Sequence, residues 1–475
     1  MNQDQNFSRT KIIGTLGPAT RNPRTLSAMI DAGLDVVRLN CSHSGPEELK
    51  KNARLVREVA GDRPIAILAD LGGPKIRLAD LSEEIPVKEG EEVVLTANPD
   101  DPDPNKIKAG YPRLAEDVQT GARILIDDGL IQLEVTTLAP PHIHCKVLND
   151  GILKSRKGLN LPGTDVSLSC ITEKDKIDLA AVLEEDVDFI ALSFVRRRQD
   201  IQELRALIQA AGKDVPIVAK IEKPEAVEAM EEIVEEADVV MVARGDLGVE
   251  MPPREVPVIQ KRIISECLRR NTPVITATQM LDSMITNPRP TRAEASDVAN
   301  AVMDGSDAVM LSGETSVGRY PIETVNIMND IILSAQDFKK QMRTQRRRTE
   351  KAGFEESICH AATTMAEDNQ AAAIICLTNT GRTARRLAGY RSRVPVLAYT
   401  HDVRRCRYLN LVWGVRAELI GCAAETDEAF ENAVRDAKNK GYVQEGDTVV
   451  FTAGIPLKES PHSNMLKIHR VPVDS

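Results

Sequence analysis

The sequence predicts an α/β protein: a (β/α)8 TIM barrel with an inserted small β-barrel lid domain and a C-terminal α/β domain. Three observations predict it. Short, nearly all-apolar strands alternate with amphipathic helices eight times between residues 11 and 336. A β-patterned stretch, 75–162, breaks that rhythm after the third strand. A second helix–strand alternation fills the chain from Phe354 onward. At roughly 150 residues per domain, a chain of 475 residues leads one to expect about three domains.

The first three barrel strands are read at 11–17, 35–40 and 64–70, with helices at 24–32 and 47–60. Gly33 and Gly61 stop those helices. Continuous apolar runs are what strands show when helices cover both faces of a parallel sheet. The β stretch carries short alternating runs at 92–97, 123–126, 131–137 and 143–147. Turn signals such as Asp128-Gly129 and Asn149-Asp150-Gly151 separate them. The rhythm resumes with helices 172–185, 198–211, 224–236, 256–270, 291–304 and 321–336 and strands 188–194, 215–221, 238–243, 273–277 and 307–311. Strict alternation favours a parallel sheet, and eight units favour closure into a barrel over an open doubly wound sheet. A basic stretch, 339–351, reads as a connector. Beyond it come elements at 355–368, 372–377, 382–391, 394–399, 402–409, 414–417, 427–440 and 447–452. The expected domains are 1–74 with 163–340 for the barrel, 75–162 for the lid, and 352–475 for the C-terminal domain.

Composition narrows the function. Sixty-one basic residues against 71 acidic ones give a net charge of -10, which argues against nucleic acid or an anionic membrane as partner. No apolar run approaches the ~20 residues of a membrane helix, and the polar start shows no signal peptide. Eight scattered cysteines without a C-x-x-C pair read as reduced thiols. A cytoplasmic protein is expected.

Barrel chemistry gathers at the C-terminal ends of the strands, and those ends are unusually polar here. Strand two ends in Arg38, Asn40, Ser42 and His43, and strand three in Asp70 with Lys75 and Arg77 beyond it. Strand five ends in Lys220 and Glu222, strand six in Gly245 and Asp246, strand seven in Thr278. Lys220 and Glu222 are two apart on a strand, so both side chains face the same way. Glu222 and Asp246 could hold Mg²⁺, which takes few protein carboxylates plus substrate oxygens. Lys220 adds a point charge, and Arg38 and Arg77 add planar forks suited to phosphate. The set suits an anion that is both phosphate and carboxylate. No Walker A motif and no strand-linked G-x-G-x-x-G is present. Thr278 reads either as a proton carrier or as a helix-capping hydroxyl.

Several segments then become recognisable: KIIGTLGPAT at 11–20, VRLNCSH at 37–43, KIE at 220–222, MVARGDLG at 241–248, TATQM at 276–280, PRPTRAEASDVA at 288–299 and MLSGET at 310–315. They closely resemble the signature segments of pyruvate kinases, and the resemblance runs from about residue 9 to the end. It implies Mg²⁺- or Mn²⁺-dependent transfer of the phosphoryl group of phosphoenolpyruvate to ADP, giving pyruvate and ATP. It implies that Arg38 binds the substrate phosphate and that Lys220 stabilises the moving phosphoryl group and the enolate. It further implies that Glu222 and Asp246 hold the metal, that Gly245 and Thr278 touch substrate, and that Asn40, His43, Arg77 and Lys157 lie on the nucleotide side. A homotetramer is the family's expectation.

Two departures stand out. Many members carry glutamate where this chain has Lys75, and hold K⁺ near positions matching Asn40, Ser42, Asp70 and Leu71. Lys75, with Leu71 and Leu78, resembles the members that work without K⁺, so K⁺ is predicted not to be required. Gly72 replaces a longer polar residue of many members. In the last domain, Thr378, Asn379, Thr380, Gly381, Arg382 and Thr383 sit between a strand and a helix, where hydroxyls and N–H groups can receive an anion. The family's matching loop takes allosteric sugar phosphates. Arg382, Arg385 and Arg386 strengthen a phosphate reading, and a plainly capped helix start is the alternative. Two other functions stay open on the residues alone: a metal-dependent lyase acting on 2-oxo acids, and a silent sugar-phosphate sensor.

Overall fold

Eight apolar runs of four or five residues, each buried on both faces, form β1 (Lys11–Thr15), β2 (Val36–Asn40), β3 (Ala66–Asp70), β4 (Phe189–Leu192), β5 (Ile217–Ile221), β6 (Val239–Ala243), β7 (Val274–Ala277) and β8 (Ala308–Leu311). In this computed structural model, which describes residues 7–164, 166–341, 353–421, 425–456 and 462–473, they close into one parallel barrel. The closed barrel rules out an open doubly wound sheet. Helices ring it, several with the capping chemistry their sequences offer. Asn22 caps Pro23–Asp31, and Thr172 and Thr291 form capping boxes with Asp175 and Glu294.

The bottom of the barrel has a repeated lock. Asp35, Asp188, Asp238 and Asp307 each stand one residue ahead of, or at the entry to, an even strand. Each carboxylate accepts the N–H of the preceding odd strand: Ile12, Ile67, Ile217 and Val274, at 2.8, 2.7, 2.9 and 3.0 Å. Each aspartate N–H donates to the carbonyl of that same residue. The strand entries are thus tied in pairs at the points where the parallel ladder runs out. Each carboxylate also meets a cation, from Lys11, Arg57, Arg205 and Arg391 respectively.

The C-terminal domain docks on this face. Its parallel strands Val415–Leu419, Val396–Thr400, Ala373–Leu377 and Thr448–Ala453 lie in that order, with Met465–Arg470 antiparallel at the edge. Arg391 and the Trp413 N–H both reach Asp307. Asn410 donates to the Asp35 carbonyl, and Lys11 donates to that of Val415. The Tyr408 ring lies 5.5 Å from that of Phe189, so the apolar interior of the barrel continues into the core of this domain.

The β stretch forms a six-stranded sheet ordered Leu159–Asn160, Arg123–Ile126, Ile131–Ala139, His142–Val147, Glu92–Thr96 and Ile107–Lys108. Ile85–Val87 pairs separately with Gly151–Leu153. It has its own core, including Leu95, Ile124, Leu133 and Val147.

Some elements differ from expectation. The helix expected at 224–236 bends at Ala229 into Pro224–Glu228 and Met230–Glu236. Arg244–Glu250 coils into a short helix directly after β6. The edge strand Met465–Arg470 has no apolar run, because most of its residues stay partly or fully exposed. From residue 342 the basic connector lies outside the described residues. The seven described cysteines are all free and buried.

Asp307 is 4 % exposed and serves two backbone donors and one guanidinium. Stripping one partner from such a buried pair costs about 3–5 kcal/mol. Asp307→Ala is expected to lower the unfolding free energy by that amount, read from denaturant titration. A change below about 1 kcal/mol, within the range of exposed pairs, would show that the lock is dispensable.

Candidate active site

Charged groups enter a barrel mouth only where partners meet them, because an unpaired buried charge is intolerable. At this mouth the partners come from strands far apart in sequence. Lys220 ends β5 with its side chain 11 % exposed. Its ammonium lies 3.2 Å from Asp70 Oδ1 and 3.0 Å from Glu222 Oε1, and donates to Ser193 Oγ at 2.7 Å. Arg38 Nε donates to Asp70 Oδ2 at 2.7 Å, and Arg38 Nη1 to Thr15 Oγ1 at 3.1 Å. Burial would lower the Lys220 pKa, but Asp70 and Glu222 outweigh it and hold the ammonium above the ordinary lysine range. Burial works against the Asp70 carboxylate too, yet Lys220 and Arg38 keep it below the usual range.

Glu222 is the exception. Burial, with the nearby Asp246 charge added, pushes its carboxyl up to about 7 against the pull of Lys220. Its Oε2 accepts the Phe194 N–H at 2.8 Å, while its buried Oε1 has no hydrogen bond. That oxygen faces the Lys220 ammonium at 3.0 Å, and two neighbouring carboxylates fit a divalent cation. Among the described residues no cluster of three or more His, Cys, Asp or Glu exists for a metal, and Glu222 and Asp246 are the two expected carboxylates that could hold one. That sparse set suits Mg²⁺, which keeps waters and substrate oxygens in its shell.

Three of the nine described non-glycine residues with positive φ stand at the mouth. Phe194, Thr278 and Gln279 adopt φ of 57°, 69° and 52°, a region that costs roughly 1–3 kcal/mol for non-glycine residues. The Thr278 hydroxyl accepts the N–H of Gly245, in the first turn of helix Arg244–Glu250, at 2.7 Å and donates to the Ala277 carbonyl, so it caps that helix from the neighbouring strand. Arg244 holds the loop, donating to the Ala277 and Thr278 carbonyls and pairing with Asp297 at 2.7 Å.

The remaining expected residues fall on three neighbouring surfaces. Asn40 accepts the Ser42 N–H at 3.1 Å, and Ser42 and His43 are exposed on the turn after β2. Arg77 bridges backbone to backbone with Gly158 in the lid module, and Lys157 beside it pairs with Asp127 at 2.9 Å. Leu71 and Leu78 are buried. Lys75 is exposed, has no ion pair among the described residues, and lines a cleft between lid and barrel. Ile76, Leu159, Phe194, Lys223 and Asp246 also line it.

In the C-terminal domain the helix Arg382–Gly389 starts at Gly381, whose φ is 77°. Thr378 Oγ1 accepts the Gly381 N–H at 2.9 Å, and the Thr383 and Ser463 hydroxyls bond each other. Arg386 and Arg382 face Glu355, at 2.9 and 3.8 Å. Arg385 departs from expectation: it turns inward, donates to the Tyr408 hydroxyl at 2.7 Å, and is not part of the loop. Ser193, Phe194, Arg244 and Thr15 were not singled out as site residues from sequence. The polar Ser193 ending an otherwise apolar strand is the one local signal among them.

Known proteins resemble the chain along most of its length. The family model "Pyruvate kinase, barrel domain" matches residues 7–325, and "Pyruvate kinase, alpha/beta domain" matches 356–469. The chain is 43% identical over 471 residues to pyruvate kinase 2 of Synechocystis sp., covering 98% of this chain and 79% of that one. It is 44% identical over 474 residues to a pyruvate kinase of Staphylococcus aureus, with 98% and 80% covered. A solved pyruvate kinase from Cryptosporidium parvum superposes with a TM-score of 0.92 at 36% identity, covering 99% of this chain and 98% of that one.

One contact tests how tightly the mouth is built. Gly73 has φ 66°, and a Cβ there would lie 2.7 Å from the Phe194 ring. Gly73→Ala is expected to destabilise the protein by about 1–3 kcal/mol, read from the denaturant midpoint. An unchanged midpoint would show that the turns after β3 and β4 do not constrain one another.

Proposed function

The chain belongs to the pyruvate kinase family, and from that premise we propose how its own residues perform the reaction. The family binds phosphoenolpyruvate and ADP or ATP and requires a divalent cation; the chain is a transferase of this kind. The observation that carries the reading is the buried Lys220 ammonium between Asp70 and Glu222 beside Arg38. Phosphoryl transfer asks the protein for positioning and for neutralisation of spread negative charge. Arg38 receives the substrate phosphate with its guanidinium, already oriented by Asp70 and Thr15. Lys220 faces the moving phosphoryl group and the enolate oxygen left behind. Glu222 and Asp246 hold Mg²⁺, which when bound neutralises phosphoryl and enolate oxygens. The Gly245 backbone and the Thr278 hydroxyl contact the substrate, and Thr278 lies on the proton path to enolpyruvate. Asn40, His43, Arg77 and Lys157 meet the nucleotide phosphates. The lid module, 75–162, closes over the mouth and excludes water.

The same reading extends to the ions. Asp70 is already flanked by two cations, Asn40 holds the Ser42 N–H, and the Leu71 carbonyl accepts the Ser193 hydroxyl. Lys75 stands unpaired at the cleft with a positive charge of its own. These features support activity without K⁺. Loop 378–383 takes the phosphate of a sugar phosphate or nucleotide monophosphate as activator, supported by its hydroxyls and by Arg382 and Arg386. No described helix is long and apolar enough to cross a membrane; we read the protein as a cytoplasmic homotetramer.

The deciding assay is turnover of phosphoenolpyruvate plus ADP with Mg²⁺, with and without K⁺, coupled to pyruvate reduction. Equal turnover in both supports the full reading. Turnover only with K⁺ keeps the reaction and removes the Lys75 argument, and cleavage of a 2-oxo acid in place of ATP formation would favour a lyase. Thr383→Glu is expected to abolish activation by a sugar phosphate while basal turnover persists. Retained activation would place the effector elsewhere.

A further inference from the structure

The Lys220 ammonium must be aimed as well as charged, and the best-aligned of its contacts is not to a carboxylate. Asp70 Oδ1 and Glu222 Oε1 lie within ion-pair range, yet neither receives an aligned hydrogen bond. The well-formed bond from Nζ goes to Ser193 Oγ, at 2.7 Å. A serine hydroxyl has one proton to donate, and Ser193 donates it to the Leu71 carbonyl at 2.7 Å. Its lone pairs therefore face Lys220, and its orientation is fixed from the other side. Ser193 is 3 % exposed, so water does not compete for these contacts.

The next residue completes the arrangement. The Phe194 N–H donates to Glu222 Oε2 at 2.8 Å, made possible by the 57° φ at Phe194. Two consecutive residues at the end of β4 thus offer an acceptor to the cation and a donor to the anion. Leu71 is tied to the same strand by its own N–H, which donates to the Ala191 carbonyl at 3.0 Å.

We propose that Ser193 is a positioning residue for the phosphoryl-transfer step: its hydroxyl fixes one N–H direction of Lys220, so that the remaining N–H groups point at the transferring phosphoryl group and the enolate oxygen. Supporting contacts of this kind set the geometry of the groups that touch substrate. The proposal rests on the role assigned to Lys220 above. The Ser193 hydroxyl is buried and engaged with Lys220 and Leu71, so on this proposal its loss acts on the transition state more than on ground-state binding.

The experiment compares wild type, Lys220→Ala, Ser193→Ala and Ser193→Thr in the coupled assay, with melting temperature recorded for each. Ser193→Ala is expected to lower kcat by about 10–100-fold, the scale of losing a supporting contact. KM for phosphoenolpyruvate should change less than about threefold and the melting transition should persist. Ser193→Thr, which keeps the hydroxyl, is expected to recover most of the loss. A wild-type kcat in Ser193→Ala overturns the proposal. So does a fall in kcat matched by a rise in KM or by a lost melting transition in both serine variants, since that marks a site that has come apart. Full turnover by Lys220→Ala would instead overturn the reading of Lys220 itself, which keeps the two failures distinct.

Discussion

A buried ammonium is the constraint around which this barrel mouth is organised. Lys220 leaves water at the end of β5, and the low-dielectric interior permits that only if opposite charge stands within a few ångströms. Asp70 from β3 and Glu222 from its own strand supply it, and Arg38 from β2 balances Asp70 in turn. Strands β2, β3 and β5 are thereby held by one alternating chain of charge. Within it Asp70 is held below the usual carboxylate range by Lys220 and Arg38 despite its burial, whereas burial and the nearby Asp246 charge push the Glu222 carboxyl up to about 7. A divalent cation is the natural remedy, so the stability problem and the chemistry share one solution.

The two ends of the barrel handle charge differently for a physical reason. At the bottom, each aspartate of the four-fold lock accepts a backbone N–H and meets a cation. That end is a rigid floor on which the C-terminal domain sits through Arg391, Asn410 and Tyr408. At the top, strained backbone at Phe194, Thr278 and Gln279 holds polar groups short of saturation. Strain of this size persists only where surrounding contacts over-determine it. Here those contacts are the Phe194–Glu222, Gly245–Thr278 and Arg244 hydrogen bonds.

The sequence by itself determined the barrel, the inserted lid and the final α/β domain, because these follow from local periodicity. Apolar runs of strand length alternate with amphipathic helices whose caps are written in neighbouring residues. Strand ends were equally legible, so Arg38, Asp70, Lys220, Glu222, Asp246 and Thr278 could be gathered at one mouth before any distance was known. Sequence did not reveal pairing. That Lys220 is aimed by Ser193, that four aspartates tie the floor, and that Arg385 turns toward Tyr408 depend on groups brought together by barrel closure and domain docking. Burial makes these contacts strong, and burial is a property of the assembled layers. The helix Arg244–Glu250 and the edge strand Met465–Arg470 were missed for the same reason: tertiary hydrogen bonds, not their own apolar pattern, select those conformations.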